Sequence, residues 1–250
     1  MPRYRLVLEF DGGPFIGWQR QDNGPSVQAA VERAVHAMLG QNVTAIAAGR
    51  TDAGVHAMAL PVHVDIAMNI PVEKLQAGLN FHLRPDPIAI VEAMQTDDDF
   101  HARFSAISRR YLYCIANRRP PPVLERGRVW HVARRLSVER MQEAGQVLVG
   151  KHDFTSFRST ACQARSPLRT LSLLHVERRE DRIHFHLEAP SFLHHQVRNI
   201  VGSLKLVGEE TRPVSFIKDA LAARDRSSAG PTAPAAGLFF VNAAYPMMRR

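Results

Sequence analysis

A loop between two strand-like runs is the feature that most restricts how this chain can fold. The loop reads Ala-Gly-Arg-Thr-Asp-Ala-Gly-Val-His-Ala and occupies residues 48–57. A short apolar run precedes it at residues 43–47, and an alternating run follows it at residues 62–66; both patterns are typical of β-strands. A glycine near each end of the loop lets the backbone turn sharply and lets a ligand approach closely. The sequence therefore predicts that Asp52 lies on a tight connection between two strands.

The local chemistry of this loop leaves two interpretations of Asp52 open. A lone carboxylate on a turn, with the cation Arg50 two residues earlier, can act as a nucleophile or a general base. The same carboxylate in an ordinary hairpin loop would only accept backbone hydrogen bonds. Local chemistry alone favours the ordinary hairpin loop.

Composition narrows the class of protein. The chain has 250 residues, of which 45% are hydrophobic and 22% charged, as is typical of a globular protein. Its formal net charge of +8 favours polyanionic partners such as nucleic acid, although codon bias in the source genome would explain part of the arginine excess. No apolar run is long enough to span a bilayer, and the N-terminus lacks a signal-peptide core. Together with two widely separated cysteines, these features predict a cytoplasmic protein without a membrane segment.

Hydrophobic periodicity predicts strands and helices in two successive cycles. The predicted helices span residues 26–39, 71–79, 137–148, 192–207 and 214–223. A stiff segment rich in arginine and proline at residues 118–135 separates the two cycles. We therefore predict an α+β fold with an N-terminal domain at residues 1–117, which carries the Asp52 loop, and a C-terminal domain at residues 118–250. Each domain mixes strands and helices in a ferredoxin-like (RRM-like), mostly antiparallel manner.

Several motifs, in the same order along the chain, resemble the tRNA pseudouridine synthase A family. Besides the loop itself, they lie at residues 10–12, 17–19, 100–104, 110–111, 152–157, 192–195 and 197–200. The resemblance runs from about residue 3 to residue 246. It implies an isomerase that converts uridine to pseudouridine at positions 38 to 40 of the tRNA anticodon stem–loop. It also implies a homodimer, and two domains whose sheets meet at a central basic active-site cleft.

The resemblance assigns roles to four residues. Asp52 would be the catalytic nucleophile, and Arg50 would fill the gap left when the target base flips out of its stack. Tyr111 would receive the uracil, although its periodicity fits a core strand aromatic equally well. Arg198 would pair with Asp52, although an arginine on an apolar helix can also extend to the surface.

Pseudouridine formation is redox-neutral, so we expect no cofactor. His184 and His186 share one strand face, and such spacing can bind zinc. Because no cysteine or carboxylate cluster completes a site in the sequence, we expect no metal. The chain also departs from the family pattern at Gly13, at residues 59–61 and at Gln196, and we expect the change at residues 60–61 to alter the strand edge after the loop.

Two other functions fit parts of the sequence. A non-catalytic RNA-binding protein would carry the same positive charge, but binding alone requires no buried carboxylate. An aspartate-dependent glycoside hydrolase usually needs a second carboxylate near the bond, and no such partner motif is evident. The resemblance at Asp52, Tyr111 and Arg198 favours the isomerase.

Overall fold

A computed structural model describes residues 1–246, so the last four residues of the predicted C-terminal domain lie outside the described part. The helices are α1 (Val27–Leu39), α2 (Val72–His82), α3 (Val138–Gln146), α4 (Gln196–Gly208) and α5 (Phe216–Ala223). The strands are β1 (Arg3–Phe10), β2 (Ile46–Ala47), β3 (His56–Asp65), β4 (Ile88–Thr96), β5 (Ser108–Ala116), β6 (Trp130–His131), β7 (Gly150–Asp153), β8 (Leu168–Leu171), β9 (Leu173–Arg179), β10 (Arg182–Ala189) and β11 (Leu238–Ala244). Most pairings are antiparallel, which confirms the predicted α+β class.

The chain divides into two compact units. Of the described residues, the first unit contains 1–109 and 239–246, and the second contains 110–238. The sequence predicts a boundary at residue 118, after the end of β5, whereas the units divide between residues 109 and 110, near the start of β5. The difference at the C-terminus has a physical reason, because β11 pairs in parallel with β3 and so returns to the first unit.

In the first unit, β1 lies between β3 and β4 and pairs antiparallel with both. The side chains of β3 are buried on both faces: Leu60, Val62 and Val64 are fully buried, and His63 is only 2% exposed. The alternating pattern correctly predicts a strand here, but it does not show that the second face is covered. Helix α1 begins after its N-cap Ser26 and ends at Gly40, whose φ is 68°, which confirms the predicted helix.

In the second unit, β10 lies between β5 and β9. Strand β6 runs parallel to the end of β5, and β7 with β8 forms a separate antiparallel pair. The outward and inward residues of β10 alternate strictly, with Ile183, Phe185 and Leu187 fully buried. The predicted hairpin of β9 and β10 is confirmed, except that residues 168–171 form the separate strand β8.

The predicted helix at residues 192–207 is wrong at its start. Helix α4 begins at Gln196, because the preceding residue His195 has a φ of 62°, in the left-handed region. The Gln196 side chain, at a position where the sequence departs from the family, accepts a hydrogen bond from the Leu193 N–H at 2.8 Å. Phe192 and Leu193 are apolar, but they and the two histidines that follow form a turn that the side chain of Gln196 closes.

Among residues 1–246, no helix combines the length and the apolar character that crossing a membrane requires.

Candidate active site

The Asp52 loop is fixed by backbone hydrogen bonds to a second loop at residues 12–18. Asp52 forms an isolated bridge with Gly17, and the Trp18 N–H donates to the Thr51 carbonyl at 3.0 Å. On the other side, the Gly54 N–H donates to the Phe15 carbonyl at 3.2 Å. The backbone of Asp52 is therefore held on both sides, while its side chain stays partly exposed. A carboxylate held in this way is oriented before any ligand arrives.

Two glycines of the second loop allow the two loops to lie this close. A Cβ at Gly12 would lie 2.0 Å from the Val55 carbonyl oxygen, and one at Gly17 would lie 2.6 Å from the Thr51 carbonyl oxygen. Gly17 also has a φ of 114°, which favours glycine. No larger residue fits at either position without movement of the Asp52 loop.

His56 supports the contact between the Asp52 loop and the loop at residues 12–18. It is 2% exposed, and its Nδ1 accepts a hydrogen bond from the Gly12 N–H at 3.0 Å. Its ring stacks on Phe239, with 4.8 Å between the centroids. His56 therefore holds the backbone of Gly12 in place.

The N-terminus of α1 holds the other end of the second loop. The Val27 N–H donates to the Gly17 carbonyl at 3.2 Å, and the Gln28 N–H donates to the Trp18 carbonyl at 3.0 Å. Behind them, Glu32 is only 8% exposed and accepts from the Ala45 N–H at 3.0 Å. A helix end that uses its unpaired N–H groups on a loop fixes the position of that loop.

Arg109 is a supporting residue that the sequence analysis missed. It is 9% exposed, and its Nε and Nη2 donate to the Ala48 carbonyl at 3.2 and 3.0 Å. The same guanidinium also donates to the carbonyls of Ala106 and Arg103. It therefore ties the residue that begins the Asp52 loop to the segment that contains the motif at residues 100–104. No local pattern could reveal this role, since its partners are backbone carbonyls distant in sequence.

A buried histidine lies next to the same motif. The Nδ1 of His63 accepts a hydrogen bond from the Ala102 N–H at 3.1 Å. Burial, together with the Arg3 and His101 charges, lowers the pKa of His63 from 6.5 to about 4. The ring is therefore neutral at physiological pH and acts as a fixed hydrogen-bond acceptor.

The four predicted site residues fall in both units. Asp52 and Arg50 lie on one loop of the first unit, and the Arg50 side chain is exposed. Tyr111 lies on β5 in the second unit, is 9% exposed, and meets Phe192 edge to face at 5.1 Å. Arg198 lies in the first turn of α4 and donates from Nε to the Ala233 carbonyl at 2.8 Å. The guanidinium is half-buried and bonded to backbone, so it does not simply extend into solvent.

Neighbouring groups of the second unit are also held in fixed protonation states. Burial raises the pKa of Tyr113, whose hydroxyl donates to the Pro234 carbonyl at 2.8 Å. Burial also raises the pKa of the Cys114 thiol to about 12, so this cysteine is a neutral core side chain. Neither group is suited to proton transfer near neutral pH.

The loop presents a partly exposed carboxylate, and the α+β protein that carries it has a strongly positive net charge. These two features define a candidate enzyme that uses a carboxylate side chain and acts on a polyanion. The model of the tRNA pseudouridine synthase family matches residues 6–105 and 144–246. The chain belongs to this family.

Curated relatives match over nearly the full chain. The tRNA pseudouridine synthase A of Rhodospirillum centenum is 57% identical over 98% of this chain and 100% of its own length. Those of Erythrobacter litoralis and Maricaulis maris are 53% and 50% identical over 98% of this chain and 100% and 99% of their own lengths.

Proposed function

We propose that this protein isomerises uridine to pseudouridine at positions 38 to 40 of the tRNA anticodon stem–loop, with Asp52 as the nucleophile. The observation that carries the proposal is the Asp52 loop, which matches the family motif and is fixed on both sides by backbone bonds to Gly17 and Phe15. In the ordinary-hairpin interpretation Asp52 would only accept backbone hydrogen bonds, and the match of the whole loop to the family motif favours the catalytic role.

The reaction breaks the bond between C1′ of the ribose and N1 of uracil and forms a bond between C1′ and C5. The proton on C5 leaves and N1 gains one, so the substrate and the product have the same composition. Asp52 would hold one fragment covalently while the base rotates. No electron transfer occurs, so the reaction requires no redox cofactor.

The other predicted site residues take supporting roles in this proposal. Arg50 is exposed on the Asp52 loop and would occupy the space that the flipped base leaves. Tyr111 would line the uracil pocket. Arg198 would pair with Asp52 and hold its carboxylate in place beside the phosphates of the RNA. The exposure of Arg50 and the fixed guanidinium of Arg198 support these roles.

The same proposal includes the finer architecture. The two units would be ferredoxin-like domains that line one basic cleft, and the protein would act as a homodimer on tRNA in the cytoplasm. The family membership and the net charge of +8 support this arrangement.

The test is an assay on unmodified tRNA transcripts that carry uridine at position 38, 39 or 40, with the nucleosides analysed after digestion. We expect pseudouridine in each, and none in matched transcripts that carry cytidine at these positions. Activity should persist with EDTA and without added nucleotide. A protein that binds the transcripts tightly but forms no pseudouridine would instead be the non-catalytic RNA-binding protein.

A further inference from the structure

The hairpin of β9 and β10 brings together side chains that the sequence keeps apart. Its register pairs His184 with Glu177, and His186 with His175. Side chains at alternate positions of a strand share one face, so all four lie on the same face of the hairpin. The sequence predicts no metal site, since no cysteine or carboxylate cluster completes one along the chain. In the structure, Glu177 lies directly across the ladder from His184 and supplies a carboxylate.

The potential ligand atoms are close. One ligand atom from each of Glu177, His184 and His186 lies within 4.8 Å of the other two. The Nε2 of His186 is 2.9 Å from the Oε1 of Glu177. Ligands 2.0–2.2 Å from a tetrahedral ion are about 3–4 Å apart, so side-chain rotations alone would complete the geometry.

The scaffold under this group is rigid. The opposite face of the hairpin carries Leu174, Val176, Ile183 and Phe185, each at most 3% exposed. His186 and Glu177 are 28% and 25% exposed, so an ion can reach them from solvent. The His175 ring stacks on the His186 ring at 6.1 Å, which restricts the orientation of His186.

We propose that Glu177, His184 and His186 form a binding site for a divalent transition-metal ion of the zinc class. Two imidazole nitrogens and one carboxylate oxygen are donors that such ions prefer, and three protein ligands leave a fourth position for water. The site is separate from the proposed chemistry at Asp52 and is not needed for it. An ion here would cross-link the two strands of the hairpin.

Arg179 is the built-in competitor. Its Nη2 lies 2.8 Å from the same Oε1 of Glu177, so an ion must either displace this guanidinium or use the other carboxylate oxygen. The Arg179→Gln variant should therefore bind the ion more tightly than the wild type. If the ion bound at other surface histidines instead, this substitution would not change its affinity.

The experiment titrates ZnCl₂ into the metal-free, full-length protein without a histidine tag, by calorimetry. We expect His186→Ala and Glu177→Gln each to lose one equivalent of Zn²⁺ or to bind it at least about tenfold more weakly. His36→Ala is the matched control, because His36 is exposed in the last turn of α1, and it should bind like the wild type. Equal stoichiometry and affinity in the wild type and both hairpin variants would overturn the proposal.

A second measurement needs no variant of the hairpin. Zn²⁺ should protect His184 and His186 of the wild-type protein from diethyl pyrocarbonate, as read by mass spectrometry, while His36 remains reactive. Protection at His36 but not at the hairpin would also contradict the site. Pseudouridine formation without added Zn²⁺ should be the same in the wild type and in His186→Ala, so this test and that of the proposed function can fail independently.

Discussion

Gly12 limits the Asp52 loop more tightly than any other residue described above. Any Cβ at this position would lie 2.0 Å from the Val55 carbonyl oxygen, and only a shift of the backbone can relieve such a contact. We expect Gly12→Ala to lower the free energy of unfolding by about 1–3 kcal/mol and to reduce turnover, since the shift moves Asp52. Urea denaturation and initial rates on tRNA measure the two effects.

Gly13→Ala is the control for that variant. Its Cβ would lie 3.1 Å from the Asp11 Oδ1, so a small shift of that side chain relieves the contact without movement of the backbone. The free energy of unfolding should then change by less than about 0.5 kcal/mol. If both variants had the same stability and turnover, the close approach at Gly12 would have no functional importance.

Arg198 tests the proposed pairing of a cation with Asp52. Arg198→Met removes the guanidinium, so turnover on tRNA should fall if that group holds the Asp52 carboxylate in place. Arg198→Lys should rescue only part of the activity, because a point charge does not reproduce a planar set of donors. Single-turnover rates for the wild type and both variants provide the test. A fully active Arg198→Met enzyme would contradict the pairing.

A contiguous motif in the sequence predicts Asp52 and Arg50 as site residues, and these roles remain predictions. No such motif marks Arg109 and Glu32, because their partners are backbone groups of distant residues. The sequence gives no signal for the proposed metal site for the same reason, because Glu177 and His184 become neighbours only through the register of the hairpin.

Strand β3 couples folding to pH through His63. The pKa of His63 is about 4 in the folded protein, against 6.5 normally, so the unfolded chain binds a proton more readily. The contribution of the neutral ring is complete above pH 6.5 and is lost as the pH falls toward 4, by up to about 3 kcal/mol. His63→Asn retains an acceptor for the Ala102 N–H but does not titrate. We expect the stability difference between the wild type and this variant to narrow by that amount between pH 7 and pH 4.

Denaturation of both proteins at several pH values measures this difference, and His36→Asn is the control because His36 is exposed. A difference that does not change with pH would mean that His63 titrates normally in the folded protein.

Among the elements, helices with clear end signals were predicted most accurately. Ser26 and Gly40 mark α1 in the sequence and mark it in the structure. Helix α4 was predicted to start too early, because the apolar Phe192 and Leu193 extend the helical pattern although the backbone of His195 is left-handed. Strand β7 was missed, because a short polar strand paired only with β8 has no hydrophobic pattern.

The charge of the whole molecule should determine how it binds tRNA. With a net charge of +8, binding should weaken steeply with salt, because each phosphate neutralised by a cation releases counterions. The exposed Arg165 and the arginines of the segment at residues 118–135 are the expected contacts. Replacing one of them with glutamine should reduce the slope of log K against log salt by about one. Filter binding at several salt concentrations measures the slope, and a flat dependence would contradict the electrostatic account.

The last strand belongs to the first structural unit, which the order of segments along the sequence does not indicate. A stiff, basic segment suggested a single boundary, with everything after it in the second domain. The last strand instead pairs with β3, between Phe239 and His56 and between Phe240 and Ala57. A pairing between strands so distant in sequence leaves no local signal, whereas the alternation of strands and helices within each unit does.

The most direct test of the central assignment replaces Asp52 with asparagine. Asparagine keeps the shape of the side chain and removes the nucleophile, while the backbone bonds to Gly17 and Phe15 do not involve the side chain. The measurement is single-turnover formation of pseudouridine in an unmodified tRNA transcript, alongside tRNA affinity and the free energy of unfolding. We predict that Asp52→Asn folds and binds tRNA nearly as the wild type does and forms no pseudouridine. A variant that converts uridine at a rate comparable to the wild type would contradict the assignment of Asp52 as the nucleophile.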